Sequence, residues 1–178
     1  MPRIDFFEEH NKQTTFTKVF GLCDDDNNEP AYIDEDLSNK DDKWCGIVYN
    51  GKGENVAFYP VDKCVKIKRE DGKDASRCDG ILSYSTNSLI FTEMKGRKIR
   101  SKDWRKKGEK QLLTTIRYFY ANYDKSAYNI KAWICNQMDQ IVNQDFSTQM
   151  EHFKILTKEE FGLGINLIIK REIDIEKI

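Results

Sequence analysis

The most informative alternation of hydrophobic and polar positions lies between residues 77 and 97. Two short runs rich in strand-forming residues, Cys78 to Tyr84 and Ser88 to Lys95, flank the polar tip Ser85-Thr86-Asn87. Strand-forming runs on both sides of a short polar turn predict a β-hairpin.

The length of the turn sets which residues of the hairpin face each other. If the turn consists of residues 85 to 87, Tyr84 pairs with Ser88, and counting back places Asp79 directly opposite Glu93. A two-residue turn would oppose Asp79 to Met94 and direct the Asp79 carboxylate to the other side of the sheet. The register therefore decides whether two carboxylates meet.

The rest of the chain predicts strands before the hairpin and alternating helices and strands after it. An Asn50-Gly51 pair is a further hairpin signal, and apolar residues at helical spacing indicate a helix with Ser101 as a reasonable N-cap. The fold class predicted is α/β, with a mixed central sheet that contains an antiparallel meander and is flanked by helices. The expected elements are a short helix over 4–13, strands over 14–22, 44–49, 55–59 and 64–68, a helix over 101–123, a strand over 127–136, a helix around 147–154 and a strand over 165–175.

Length and composition bound the class of protein. The 178 residues are expected to form a single domain, 1–178, and 39% hydrophobic against 33% charged residues indicate a modest core beneath a charged surface. No apolar run approaches the length of a transmembrane helix, and the N-terminus does not have the pattern of a signal peptide, so a cytoplasmic location is expected. The five cysteines lack C-x-x-C spacing, which predicts reduced thiols rather than a zinc site.

Charge is distributed unevenly although the net charge is only -1. Residues 24–42 contain nine acidic residues and one lysine, which predicts a solvated or partner-facing acidic loop. Residues 95–110 contain nine basic and two acidic residues. A basic block directly after the hairpin is suited to binding the phosphates of a nucleic acid, although a solvated basic helix face is the alternative.

The hairpin itself carries candidate chemistry. Side chains alternate along a strand, so Glu93 and Lys95 share one face, and with the three-residue turn Asp79 joins them. Like charges opposed across a sheet are destabilising unless something compensates them. Mg²⁺ binds one or two carboxylates together with water and phosphate oxygens, and a lysine beside it could orient water or phosphate. The pattern suits metal-dependent phosphodiester hydrolysis, and the alternative is an edge hairpin with a Glu/Lys pair on its solvated face.

An Asp, a short hairpin and then Glu-x-Lys at the end of an apolar strand resemble the core motif of the PD-(D/E)xK nuclease superfamily, over roughly residues 43 to 136. The resemblance implies a restriction endonuclease-like fold in which Asp79 and Glu93 hold Mg²⁺ or Mn²⁺ and Lys95 serves the attacking water. It further implies that the carbonyl oxygen of Met94 is a metal ligand. Cys78 stands where the family motif has proline.

The resemblance also implies further contacts and partners. The first helix in this family often supplies a metal-binding Glu, for which Glu9 or its neighbour Glu8 is the candidate. DNA, in duplex form and cut internally, is the expected substrate, although RNA is equally compatible with the residues, and a homodimer or an activating protein partner fits a chain of this size. The candidate nucleic-acid-binding residues are Arg97, Lys98, Arg100, Arg105, Lys106, Lys107, Lys110 and Gln111, the last of which could equally be an ordinary exposed helix residue.

The alternative function is a non-catalytic or degenerate nuclease-fold module. Such a module would bind a nucleic acid or a protein through its basic and acidic patches, and it would not depend on metal or on Glu93. The presence of Asp79, Glu93 and Lys95 together favours the enzyme.

Overall fold

The computed structural model describes residues 3–25, 27–96, 103–137 and 145–178. These residues form a mixed α/β fold of two helices and two mixed sheets. The strands are β1 (Gln13–Thr15), β2 (Val19–Cys23), β3 (Tyr32–Asp34), β4 (Gly46–Tyr49), β5 (Val56–Pro60), β6 (Gly80–Tyr84), β7 (Ser88–Lys95), β8 (Asn129–Asn136), β9 (Asn166–Ile169) and β10 (Glu172–Asp174), and the helices are α1 (Trp104–Asn122) and α2 (Ser147–Phe161).

The larger sheet has the strand order β1-β5-β6-β7-β8-β9, and the smaller has the order β10-β4-β2-β3. In the larger sheet, β1, β5, β6 and β7 are joined by antiparallel pairings. β8 and β9 then add in parallel to β7. The helices provide the crossovers that parallel strands require, α1 between β7 and β8 and α2 between β8 and β9.

Two hydrophobic cores lie on opposite faces of the larger sheet. Along β7, Leu89 and Phe91 belong to the core shared with α1 and α2, whereas Ile90 and Met94 belong to the core shared with the smaller sheet. This alternation is the period of two that a strand buried on both faces requires. The larger sheet is therefore the middle layer of three.

Helix α1 packs its apolar stripe on the middle layer. Leu112, Ile116 and Phe119 are all fully buried, and the Phe119 ring lies edge-on to the ring of Phe91 at 5.3 Å between centroids. The spacing of these residues fits one helix face, which is why the sequence predicts this helix closely. Because β7 ends at Lys95 and α1 returns over the same strand, the first turns of α1 lie beside the carboxyl end of β7.

The Asn50-Gly51 hairpin is a wrong prediction. β4 and β5 do not pair; β4 joins β2 and β10 in the smaller sheet, whereas β5 joins the larger sheet. The side chain of Asn50 is fully buried and closes a wider loop, donating to the carbonyls of Thr17 and Glu54 and accepting from the Glu54 amide. Since both strands are apolar, the local pattern does not show that the chain changes sheet between them.

The same change of sheet divides two other predicted strands. The strand expected over 14–22 is divided between β1 and β2, and the one over 165–175 between β9 and β10, with the two parts in different sheets. Over 64–68 the structure has only an isolated bridge between Lys68 and Asp74. The helix expected over 4–13 is a single 3-10 turn, Glu9–Asn11.

The described residues of the acidic segment 24–42 are more ordered than a solvated loop would be. The segment contains β3, and the Asp34 carboxylate accepts hydrogen bonds from the indole of Trp44 (2.9 Å) and from the side-chain amide of Asn39 (2.8 Å). No disulfide bond joins any of the five cysteines. Within the described ranges, neither helix is long and apolar enough to cross a membrane.

Candidate active site

The register predicted from a three-residue turn is confirmed. Tyr84 pairs with Ser88, and the ladder continues to the pair Gly80 and Thr92. The next positions along the two strands are Asp79 and Glu93, and the Asp79 amide still donates to the carbonyl of Thr92 at 3.1 Å. The hairpin therefore brings both carboxylates to the carboxyl end of β7.

Asp79 is buried and held by the backbone of the opposite strand. Its side chain accepts a hydrogen bond of 2.5 Å from the amide of Met94. Burial raises the pKa of Asp79 to about 7, although the Met94 amide and the positive charge of Lys95 oppose the rise. The negative charge of Asp24 adds to the rise, so the acidic segment begins close to this site.

Glu93 is more deeply buried, with 1% of its surface exposed. Burial raises its pKa well above the usual range, and the negative charge of Asp79 raises it further. Its Oε1 is bonded to Lys95, while its Oε2 accepts no hydrogen bond from the residues that the structure describes. A buried carboxylate oxygen without a donor is unfavourable, and a cation beside it would compensate its charge.

Helix α1 approaches the carboxylates closely at Gly108. A β-carbon added at this glycine would lie 3.3 Å from Cγ of Glu93 and 3.2 Å from Cδ1 of Ile134. A glycine therefore lets the first turns of the helix pack directly on the Glu93 side chain.

Lys95 is fixed from two sides. Its ammonium donates to Oε1 of Glu93 and, at 3.2 Å, to the side-chain oxygen of Gln111 on α1. The amide nitrogen of Gln111 donates to the carbonyl of Arg77 at 2.9 Å. Gln111 is partly exposed, and both ends of its side-chain amide are bound within the protein.

Thr115 contributes to the site and was missed by the sequence analysis. Its fully buried hydroxyl accepts a hydrogen bond of 2.8 Å from the amide of Cys78 and donates to the carbonyl of Gln111 at 2.8 Å. It thus ties the residue before Asp79 to the helix that holds Lys95. A polar residue between apolar helix positions was the signal available in the sequence.

These residues fit a divalent cation of the Mg²⁺ type. Such ions take oxygen ligands and commonly use only one or two carboxylates, with water and phosphate completing the shell. Asp79 and Glu93 supply two carboxylates, and the Met94 carbonyl belongs to the same strand end. Among the described residues no group of three or more His, Cys, Asp and Glu side chains is arranged to hold a metal, and a two-carboxylate site does not require one.

Glu9 differs from the expectation for a metal ligand. Its side chain is 78% exposed and forms an ion pair of 3.2 Å with Lys12. Because residues 4–13 do not form the expected helix, this glutamate is not carried to the carboxylates on a helical face. Its placement argues against a role in holding the metal.

The predicted nucleic-acid contacts fall into two groups. Arg97, Lys98 and Arg100 lie outside the described residues. Arg105, Lys106 and Lys110 line a groove of about 650 Å³ between α1 and α2, and Lys107 is exposed on α1. The groove also contains Glu109 and Asp145, so it is lined by both positive and negative groups.

Comparison of the chain with protein-family models, with curated proteins and with solved structures found no significant match.

Proposed function

We propose that this chain is a metal-dependent nuclease of the PD-(D/E)xK type, with a restriction endonuclease-like core, that hydrolyses phosphodiester bonds in DNA. The observation that carries the proposal is the buried Oε2 of Glu93, which has no hydrogen-bond donor among the described residues and lies opposite Asp79 in the hairpin register. The order antiparallel hairpin, helix and parallel strand in β6, β7, α1 and β8 supports it further.

In this proposal Asp79, Glu93 and the Met94 carbonyl hold Mg²⁺ or Mn²⁺. The bound ion would supply a Lewis acid that neutralises charge on the phosphate being cut. Lys95 orients the attacking water, because Glu93 and Gln111 hold its ammonium in one position. Duplex DNA and internal cutting follow from the resemblance to the nuclease family.

The proposal is tested by incubating the protein with supercoiled plasmid in EDTA, Mg²⁺ or Mn²⁺. Glu93→Gln keeps the size of the side chain and removes its charge, and Lys95→Gln removes the ammonium. The exposed Glu159 on α2 offers a matched control, Glu159→Gln. We expect cutting only with metal, its loss in both site variants and its retention in the control.

Binding of the metal is measured separately by calorimetry with Mn²⁺. Heat of Mn²⁺ binding that depends on Asp79 and Glu93, together with cutting of RNA but not DNA, would support the proposed metal site and show that the substrate is RNA. Absence of both cutting and carboxylate-dependent metal binding would contradict the nuclease and favour the non-catalytic module.

A further inference from the structure

The loop between β5 and β6, residues 61 to 79, carries a compact group of positive side chains beside the carboxylates. Lys63, Lys66, Lys68 and Arg77 line a pocket of about 280 Å³ in which Asp74 is the acidic member. We propose that this pocket binds a phosphate of the nucleic-acid strand next to the phosphate that is cut. The inference rests on the proposed function and assigns part of its substrate-binding surface.

The loop is held firmly against the catalytic hairpin. The amides of Val61 and Asp62 both donate to the carbonyl of Asp79, at 2.9 and 3.4 Å. Val61, Val65 and Ile67 are buried in the core beneath α1. The pocket is therefore built on an anchored segment rather than on a free loop.

The direction of the positive side chains follows from the same anchoring. Val65 and Ile67 point into the core, so the intervening Lys66 and the following Lys68 are directed outward, and both are exposed. Lys63 adopts a φ of 66°, a left-handed conformation that residues other than glycine seldom take. Such a conformation persists where its surroundings fix it, and it is found at binding sites more often than elsewhere.

The positive charge of the pocket exceeds the acidic charge that faces it. Lys68 pairs with Asp74 at 2.7 Å, and Arg77 pairs with Asp62 at 3.2 Å. The ammonium of Lys63 contacts a carbonyl oxygen of Glu29, which carries no formal charge. Lys66 forms no ion pair with the described residues. An excess of cations around a small pocket favours a phosphate group.

The pocket lies at a suitable distance from the carboxylates. Arg77 is two residues before Asp79, and two residues of extended chain span at most about 7 Å, so the part of the pocket formed by Arg77 lies close to Asp79. The carbonyl of Arg77 also accepts the hydrogen bond from Gln111, which holds Lys95. The pocket is thus joined to the ammonium of Lys95 through two hydrogen bonds.

The groove between α1 and α2 is larger but less suited to a phosphate. Its cations face Glu109 and Asp145, and Glu109 is already bound to Gln149 at 2.8 Å. The loop pocket has the smaller share of acidic groups, and its lining includes Arg77, two residues before Asp79.

Two measurements in EDTA test the inference without cutting. The first is binding of a duplex oligonucleotide over a range of salt concentrations, for the wild type, for Lys66→Gln with Lys68→Gln, and for Lys158→Gln on the exposed surface of α2 as the control. Losing the one phosphate that the pocket binds should lower the salt slope by about 0.9 and weaken binding about fivefold at 0.15 M salt. The control should match the wild type. Both lysines are exposed, so the double variant is expected to fold.

The second measurement uses Cys64, which lines the pocket and is the only one of the five cysteines that is not buried. Its alkylation by iodoacetamide, followed by mass spectrometry, should slow about tenfold when the oligonucleotide is present at ten times its Kd, because about one site in eleven then remains free. Inorganic phosphate at the same concentration should have little effect.

An unchanged salt slope in the double variant, or unchanged alkylation of Cys64 in the presence of DNA, would overturn the pocket. If plasmid cutting still required metal and Glu93, the proposed nuclease activity would be supported and only the proposed phosphate-binding pocket would be contradicted. Protection of Cys64 by inorganic phosphate but not by the oligonucleotide would overturn the pocket in favour of a site for free phosphate. If the protein neither cut nor bound DNA, both the proposed DNA nuclease and the proposed pocket would be contradicted.

Discussion

Replacing Asp79 with Asn should stabilise the metal-free protein at alkaline pH, and this advantage over the wild type should become smaller when Mg²⁺ is present. Asp79 is 7% exposed and lies opposite Glu93. Asn has the same shape, and its oxygen can still accept the hydrogen bond from the Met94 amide. The substitution therefore removes a buried charge and keeps the local geometry.

The size of the effect follows from the pKa of Asp79. Burial raises this pKa from an ordinary value of 3.8 to about 7 in the folded protein. A difference of this size corresponds to about 4 kcal/mol, since one pH unit is worth about 1.4 kcal/mol. The cost is fully expressed only where Asp79 is ionised in both the folded and the unfolded protein, which is above pH 7.

The direction of the pH dependence is set by the state, folded or unfolded, that binds the Asp79 proton more tightly. The folded protein keeps the Asp79 proton up to about pH 7, whereas the unfolded chain loses it near pH 3.8. The contribution of the neutral carboxyl to stability is present below pH 3.8 and is lost as the pH rises to 7. The wild type should lose stability over this interval, and the Asp79→Asn variant should lose up to about 4 kcal/mol less.

The assay is urea unfolding in EDTA at several values between pH 4 and pH 8, repeated in Mg²⁺, with Glu159→Gln as the control. Metal at 100 times its Kd should raise the free energy of unfolding of the wild type by about 2.7 kcal/mol and leave the Asn variant nearly unchanged. The same pH dependence in wild type and variant, measured in EDTA, would refute the reasoning that a buried charge at residue 79 limits stability.

Three further predictions concern the support of the site and the smaller sheet. Thr115→Val should lower the free energy of unfolding by about 1–3 kcal/mol, because the buried Cys78 amide loses its acceptor. Thr115→Ser should retain most of the wild-type stability in urea unfolding, and equal losses in the two variants would contradict this. For Asp34, burial alone would raise the pKa, but hydrogen bonds that include the one from Trp44 lower it. Asp34→Asn should therefore destabilise the protein at pH 7 and progressively less as the pH falls below 4, and a constant difference across this range would oppose the interpretation. Gly21→Ala should cost at least about 1–3 kcal/mol in thermal unfolding, because its β-carbon would lie 2.1 Å from the ring of Trp44; an unchanged melting temperature would contradict this packing.

The amino-acid sequence alone determined the hairpin and helix α1, and it limited the hairpin register to the two choices set by a two-residue or a three-residue turn. These features depend on short-range information, since the length of the turn fixes which residues oppose each other and the apolar spacing fixes one face of a helix. The neighbouring positions of Glu93 and Lys95 on one strand follow from the same alternation. The cluster of Asp79, Glu93 and Lys95 could therefore be anticipated from local pattern.

Only the tertiary structure decided which sheet each short strand joins and what surrounds the carboxylates. β4 and β5 are apolar enough to fit either layer, so the choice depends on long-range contacts and on the buried amide of Asn50. The hydrogen bond from Lys95 to Gln111 joins residues that are distant in the chain, and so does the hydrogen bond from the Cys78 amide to Thr115. The burial that raises the pKa of Asp79 depends on the same packing, because no local pattern specifies how completely other layers exclude water from a strand end.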